Sequence, residues 1–576
     1  MSAQNAAPRE HGDSPEVGHI TVIGVIADPS DHDVVREFFE LFKTPWEFYR
    51  ADRFYDVVLC AGDRQVDELP NVLLLYAGGR THFDEQQSTL NQITESHIRL
   101  LTYRGYRIPI YGDCILFPAK ENSLLADADS QKSVAYRNES GRRVTVRIGY
   151  DLFGEIRTLL TAGQPAANAN LPTLELHIAL LRDLITGCGI SLVEIPPVPD
   201  GYRFIACLTH DVDHPSLRQH KWDHTVFGFL YRALFGSLGK LLHGRMSSRD
   251  LAKNWWAALM LPLVYLGIAK DCWSEFGDCY LELENGIRST FFVIPFKNTP
   301  GKRQDGPAPK FRAVPYGAED ISGTIRRLSS AGCEVGLHGI DAWCDSSRGR
   351  AELEQIRHLT GASEIGVRMH WLYHTDQTPV ILEKARAAYD STVGYNETVG
   401  YRAGTTQVYK PLAATDLLEL PLHVMDTALF YPSYLGLSSR QAKEVLTDIV
   451  DNATEFGGCV TVNWHDRSLA PERLWDAPYR DLVQELKRRG AWFATAGEAV
   501  SWFRSRRSVE FSSNDTGVDA NSTKVRVNRD GSLPGLRMRI YKGRAPVNAG
   551  VGVADGYTDC GFDEGFDSRI DCAVNR

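Results

Sequence analysis

"CLTHDVDHP", residues Cys207–Pro215, is the stretch on which the reading turns. An apolar run, Phe204 to Leu208, leads directly into two aspartates, two histidines and a closing proline. A short apolar run bounded by turn residues reads as a buried strand. A buried strand can end in acids and imidazoles because the chain surfaces there. It can also end so because the strand end holds a metal ion and a base.

The residues that follow repeat the form. "STFFVIPF" (Ser289–Phe296), "EVGLHG" (Glu334–Gly339), "IGVRMHWL" (Ile365–Leu372), "YDSTVGY" (Tyr389–Tyr395), "LELPLHVMD" (Leu418–Asp426) and "GCVTVNWHD" (Gly458–Asp466) each run from apolar to polar. Between them lie helical patterns such as "EDISGTIRRLSSAG" and "SRGRAELEQIRHLTG", both with a glycine stop. Strands alternating with helices indicate a parallel α/β sheet or barrel, where function gathers at the C-terminal strand ends. Those ends carry Asp211, Asp213 and His214, then His338 with Asp341, Arg368 with His370, Asp390, Asp426, and His465 with Asp466.

This set suits one kind of chemistry. A carboxylate with imidazoles binds zinc or a related divalent ion. A second carboxylate can act as general base toward water, and an arginine beside it keeps it ionised. A histidine opposite can protonate a leaving amine or alcohol. The pattern is that of metal-assisted hydrolysis of an amide or ester.

From residue 203 to about 500 the chain resembles the NodB-type polysaccharide deacetylases, a carbohydrate esterase family 4-like group. "THDVDHP" matches their Asp-x-Asp motif, "STFFVIPF" their ATFF strand, and "AGCEVGLHG" their first metal-histidine strand. "GVRMHWL" falls at their Arg-x-Pro motif and "VNWHD" at Leu-x-His. The resemblance implies an α/β fold: a distorted (β/α)7 barrel, here preceded by a smaller α/β domain. It implies Asp211 as base, Arg368 as the residue orienting it, His465 as general acid, and Asp213 and His338 as metal ligands.

Two departures stand out. The family's second metal histidine, four residues after the first, is Ala342 here, and the proline of Arg-x-Pro is His370. The expected ligand set is therefore Asp213, His338 and His370 around one divalent ion, Zn2+ first. Asp341, His214 and His210 remain candidates. Arg402, Asp426 and Trp343 are candidate substrate contacts, Asp426 alternatively tuning His465, with Trp371 and Trp464 as further stacking faces.

The organisation expected is a disordered leader (1–17), an N-terminal α/β domain (18–198), the deacetylase-like domain (199–507) with a helical insertion (226–286), and a polar tail or small β appendage (508–576). Cys560 and Cys572 could pair in that tail. No GxGxxG or GxxxxGKS supports a nucleotide site. The eleven cysteines are scattered without CxxC, which fits reduced thiols. A net charge of −10 argues against nucleic acid as a partner. No run reaches the length of a membrane span. "WWAALMLPLVYLGIA" (Trp255–Ala269) reads as buried helix or as a helix lying on a membrane surface.

The function expected is removal of acetyl groups, N-acetyl before O-acetyl, from a carbohydrate or polysaccharide precursor. With no export signal, a cytoplasmic location, at most peripheral to the inner membrane, and a lipid-linked or nucleotide-linked sugar fit best. Two alternatives stay open: an inactive deacetylase fold serving as a glycan-binding or assembly module, and a hydrolase of a non-peptide C–N bond in a non-sugar substrate.

Overall fold

Nine consecutive residues, Phe204–Val212, form a strand in which every side chain is buried. The computed structural model describes residues 21–513, 523–526, 531–544, 556–561 and 568–570, apart from 65, 67–69, 87–93, 97–99, 119–122, 222 and 243–245. The leader expected over 1–17 lies outside the described residues, as does Cys572. Burial on both faces is the signature of a parallel strand covered by helices. This strand is the spine of the second half of the chain. Thr290–Val293 pairs with its C-terminal half, and Cys459–Asn463 pairs with its other edge, both parallel.

The sheet curls away from this spine in both directions. On one side Glu334–Gly339 follows Thr290–Val293, and Val367–Met369 follows that. On the other, Val424–Met425 pairs with Val462 and Asn463. The two ends then approach one another. Asp390 bridges Val367 on one side and Glu419 on the other, both parallel. The result is a curled, parallel half-barrel whose open side is stitched by single-residue bridges. "YDSTVGY" therefore contributes one bridging residue rather than a strand. Helices Ser322–Ser330, Ser346–Thr360, Ser439–Phe456 and Asp476–Arg488 separate successive strands.

Register brings the polar strand ends to one level. His338 is paired with Arg368, two residues before His370. Thr209 is paired with Thr290 and Asn463, two residues before Asp211 and His465 respectively. Side chains two apart on a strand share a face.

The first part of the chain builds a separate nine-stranded sheet. Its five strands Trp46–Phe48, Ile23–Ile26, Val57–Ala61, Val72–Tyr76 and Arg143–Ile148 lie side by side and parallel. Antiparallel strands between Leu100 and Ser140 extend it. Strands after Arg507 also join the rest: Arg537–Tyr541 pairs with Leu192–Glu194.

Buried polar contacts lock the two sheets' surroundings together. Arg506 donates to the carbonyls of Glu40 and Leu41 at the end of the His32–Phe42 helix, and to Ile195. Helix C-terminal carbonyls lack internal donors, so a guanidinium there is well placed. Glu175, on the Thr173–Gly187 helix, accepts from the Thr405 hydroxyl (2.5 Å), the Thr406 amide (3.0 Å) and the Thr406 hydroxyl (3.2 Å) with one oxygen. Its other oxygen is buried without a hydrogen bond. Burial pushes this carboxyl up to about 7, against the hydrogen bonds that favour its charge.

A carboxyl raised in this way holds a proton in the folded chain that the unfolded chain releases. Its favourable contribution is complete below the ordinary value of 4.5 and is lost as the pH rises through about 7. Glu175→Gln keeps the accepting oxygen and removes the ionisation. Measured by thermal or denaturant unfolding, the variant should gain on the wild type between pH 5 and 8, by of the order of 2 kcal/mol. A difference that stays constant across this range contradicts the account.

Candidate active site

Arg368 is fully buried at the end of its strand, and its guanidinium makes four hydrogen bonds. Nη1 donates to the Thr209 hydroxyl (2.6 Å) and to Asp211 Oδ1 (3.1 Å). Nε and Nη2 donate to the Ser391 carbonyl and hydroxyl, both at 2.9 Å. The Phe292 ring lies 4.5 Å from the guanidinium carbon. Asn463 holds the other side of Asp211. Its amide donates to Asp211 Oδ2 (2.7 Å) and its oxygen accepts from the Asp211 amide (3.1 Å). Each Asp211 oxygen therefore has one side-chain donor, which fixes the carboxylate's orientation.

Asp213 faces a group of imidazoles on the same cavity wall. His338 Nε2 and His370 Nε2 stand 3.4 and 3.6 Å from Asp213 Oδ1, and ligand atoms of the three residues all lie within 4.8 Å of one another. His338 Nδ1 donates to the Arg368 carbonyl at 3.0 Å, which fixes its tautomer and turns the Nε2 lone pair toward Asp213. Burial opposes a charge on both Asp213 and His370. The histidines around Asp213 nevertheless hold it well below the usual carboxylate range, while His370 falls well below the histidine range. Asp213 Oδ1 is buried and accepts no hydrogen bond. A buried carboxylate oxygen left without a donor beside two imidazole nitrogens is an arrangement that a bound cation would complete. The donor set, one carboxylate and two imidazoles with room for a further ligand, fits a divalent ion of the zinc class.

The chain reaches this geometry by a strained turn. After Met369 the backbone leaves the strand, and Trp371 (φ 65°) and Leu372 (φ 52°) adopt left-handed conformations that large side chains avoid. Arg312 holds the turn, donating to the His370 carbonyl (2.9 Å) and to Pro300 and Ile340. This presents His370 to Asp213 and Trp371 to the cavity above.

His465 faces the same space from the other side, with Nε2 3.8 Å from Asp213 Oδ2. Its Nδ1 is 2.6 Å from Asp426 Oδ1, and its backbone amide donates to Asp426 Oδ2 (2.7 Å). Burial alone would lower its pKa. Asp426, with Asp213 and Asp211 beyond it, instead raises it to about 10. The imidazolium thus keeps a proton on Nε2, aimed at the cavity.

That cavity has a volume of about 530 Å³. Asp211, Asp213, His338, His370 and His465 lie on its wall. Trp371 and Phe311, with ring centroids 5.1 Å apart, form one apolar side, and Tyr431 and Tyr434 stack at 6.4 Å on another. Arg467 and Arg473 also line it, and neither guanidinium forms a salt bridge among the described residues; the Arg467 amide donates to Asp466 Oδ1 (2.8 Å). Arg473 reaches Tyr431 and Ser468, while Arg467 lies over the Trp273 ring at 5.4 Å.

The remaining candidates divide. His214 lines the cavity but bonds to His220 (3.1 Å) rather than joining the Asp213 group. His210 is buried between Glu284 and the Trp464 carbonyl. Asp341 is occupied by the Lys302 amide and Arg348. Asp390 serves as the bridging residue of the sheet. Trp343 does not reach the cavity; it is buried edge-on behind Tyr373. Trp464 is buried as well, with its indole N–H on the Trp475 carbonyl. Arg402 lies outside the cavity, donating to the Gly394 carbonyl. Asn463, Arg467, Arg473 and Tyr431 were not singled out in the sequence. Only Asn463 carried a signal, a polar residue inside an apolar strand two before His465.

In Asp426→Asn the largest influence raising His465 is removed. Its imidazole should then titrate back toward the ordinary histidine range, whereas the wild type should stay protonated through pH 8. Side-chain NMR reads both, and an unchanged titration contradicts the role given to Asp426.

No protein-family model matches the chain, and no curated protein matches it. Solved structures do. A protein from Mycobacterium smegmatis classed with the polysaccharide deacetylases is 17% identical, with a TM-score of 0.33, over 56% of this chain and 99% of its own. PuuE allantoinase is 15% identical, with a TM-score of 0.31, over 53% and 91%. Agd3, described as a novel carbohydrate deacetylase, is 8% identical, with a TM-score of 0.30, over 91% and 92%. The chain thus resembles solved polysaccharide deacetylases at low identity.

Proposed function

We propose that the protein is a metal-dependent hydrolase that removes acetyl groups, N-acetyl before O-acetyl, from a carbohydrate. The observation that carries this reading is the Asp213–His338–His370 group, with its orphaned carboxylate oxygen, set between an arginine-clamped aspartate and an aspartate-held imidazolium. We read the half-barrel and its bridges as the distorted (β/α)7 barrel of the NodB type, over residues 199–507. The nine-stranded sheet is then a smaller α/β domain before it, and residues 508–576 an appendage.

Asp213, His338 and His370 would hold the ion, Zn2+ first. When bound, such an ion supplies Lewis acidity, polarising an acyl carbonyl and acidifying water. The protein's own groups supply the proton transfers. Asp211, held in place by Arg368 and Asn463, accepts a proton as the water oxygen bonds to the acyl carbon. His465 then gives its Nε2 proton to the nitrogen as the C–N bond breaks, leaving acetate and a free amine. Asp426 keeps His465 charged until that moment. An inactive binding module has no need of a base, an acid and two separate devices that hold them.

Arg467 and Arg473 support a phosphate-bearing substrate, such as a lipid-linked or nucleotide-linked sugar. Guanidinium groups without carboxylate partners suit an oxyanion. The aromatic walls offer faces for sugar rings.

Three measurements test the reading. Purified wild type should carry about one divalent ion per chain, lost in Asp213→Ala and in His370→Ala. His465→Ala should keep the ion and lose about 10²- to 10⁴-fold in kcat on an acetylated sugar. No ion after reconstitution moves the reading to a binding module. An ion that survives His370→Ala removes His370 as a ligand. Arg467→Ala should raise KM roughly tenfold for a phosphate-linked substrate and leave a neutral acetylated oligosaccharide unaffected; equal effects on both would set the phosphate aside.

A further inference from the structure

Eleven of the nineteen large apolar side chains exposed among the described residues fall between Phe227 and Ile268. They are not scattered. Phe227, Tyr231, Phe235, Leu238 and Leu242 recur at intervals of four, four, three and four along the helical run His224–Leu242. Trp255, Trp256, Leu259 and Leu266 form a similar stripe along and just beyond the Ser248–Tyr265 helix. The opposite faces are already used: Val226, Phe229, Ala233 and Leu261 pack with Leu217 and Trp273 into a small core. Both helices are therefore apolar on two sides, one covered by protein and one turned outward. Trp256 is 62% exposed, Phe235 68% and Leu242 77%. A surface helix normally shows polar residues there.

The charge of this segment departs from that of the chain. Residues 224–270 hold six Lys and Arg against one Asp, in a protein of net charge −10. Arg249 and Lys253, within two turns before the tryptophan pair, are exposed. Outward aromatics flanked by cations suit the headgroup region of an anionic bilayer. A second copy suits them less, because it would bring like charges together. Among the described residues no helix is long and apolar enough to cross a membrane, so the segment would lie on the surface.

We propose that the helical stretches 224–242 and 248–268 form a docking element that rests on an anionic lipid bilayer and sets the cavity mouth at headgroup level. His224, in the first turn, lines the cavity. Trp273, in the small core under these helices, carries the Arg467 guanidinium on its face. A sugar joined to a lipid through phosphate presents that phosphate at this level. Of the two phosphate-linked substrate classes, docking selects the lipid-linked one. This last step rests on the reading of the site; the docking itself does not.

Flotation of the full chain with phosphatidylcholine vesicles, with and without phosphatidylglycerol, tests it. The wild type should float with the anionic vesicles. Trp255→Ser/Trp256→Ser should bind about tenfold more weakly, and Arg249→Glu/Lys253→Glu should lose the salt-sensitive part of binding. Deacetylation of a soluble acetylated sugar without vesicles should be unchanged in both variants, which keeps a failure of docking distinct from a failure of the site. Absence of flotation overturns the proposal, as does undiminished binding by the tryptophan variant. A wild-type dimer that the tryptophan variant dissociates, with no vesicle binding, assigns the face to a second copy.

Discussion

A guanidinium with no exposure at the end of a parallel strand constrains everything around it. Arg368 can stay charged there only if its donors are met, and a buried ion that loses its partner costs about 3–5 kcal/mol. Asp211 meets one donor, Thr209 shares it, and Ser391 meets the rest from across the open side of the sheet. Ser391 follows Asp390, the residue that bridges the two ends of the half-barrel. The arginine thus ties sheet closure and the placement of Asp211 into one arrangement.

The strand ends were legible because a two-residue period and an apolar-to-polar transition mark where a buried strand stops. Asp211, Asp213, His338, Arg368, His370 and His465 all lie at such transitions, and register brings them to one level. Residues beyond a strand end were less legible, since a loop has no period. Arg467 and Arg473 come from the loop after His465, and nothing in "DRSLAPERLW" tells which arginine turns inward. The same ambiguity misdirects in the other sense. Trp343 and Arg402 sit beside motifs, but packing behind Tyr373 and a hydrogen bond to Gly394 turn them away from the cavity. The antiparallel strands of the N-terminal sheet were not anticipated either, because short strands rich in polar residues pair by tertiary context.

The helical insertion shows the limit of composition as a guide. "WWAALMLPLVYLGIA" is equally apolar whether it is buried or turned outward, so hydrophobicity alone could not choose. Only the placement of Val226, Phe229 and Leu261 in a core separates the inner face from the outer one.

Packing disfavours a histidine at 342 and accommodates one at 370. Ala342 is fully buried against the Ser346–Thr360 helix, at a point where a Cβ on Gly349 would come within 3.1 Å of it. That close approach leaves little room for a larger side chain at 342. The neighbouring strand offers one instead. His370 lies two residues past Arg368, the register partner of His338, so its side chain shares the face that already carries the metal-directed imidazole. The cost is a turn through two left-handed residues, and Arg312 holds that turn by its carbonyls. The altered motif is thus consistent with a ligand moved to the adjacent strand and a backbone built to hold it there. A site losing its metal would have no reason to keep Trp371 strained and His370 aimed at Asp213.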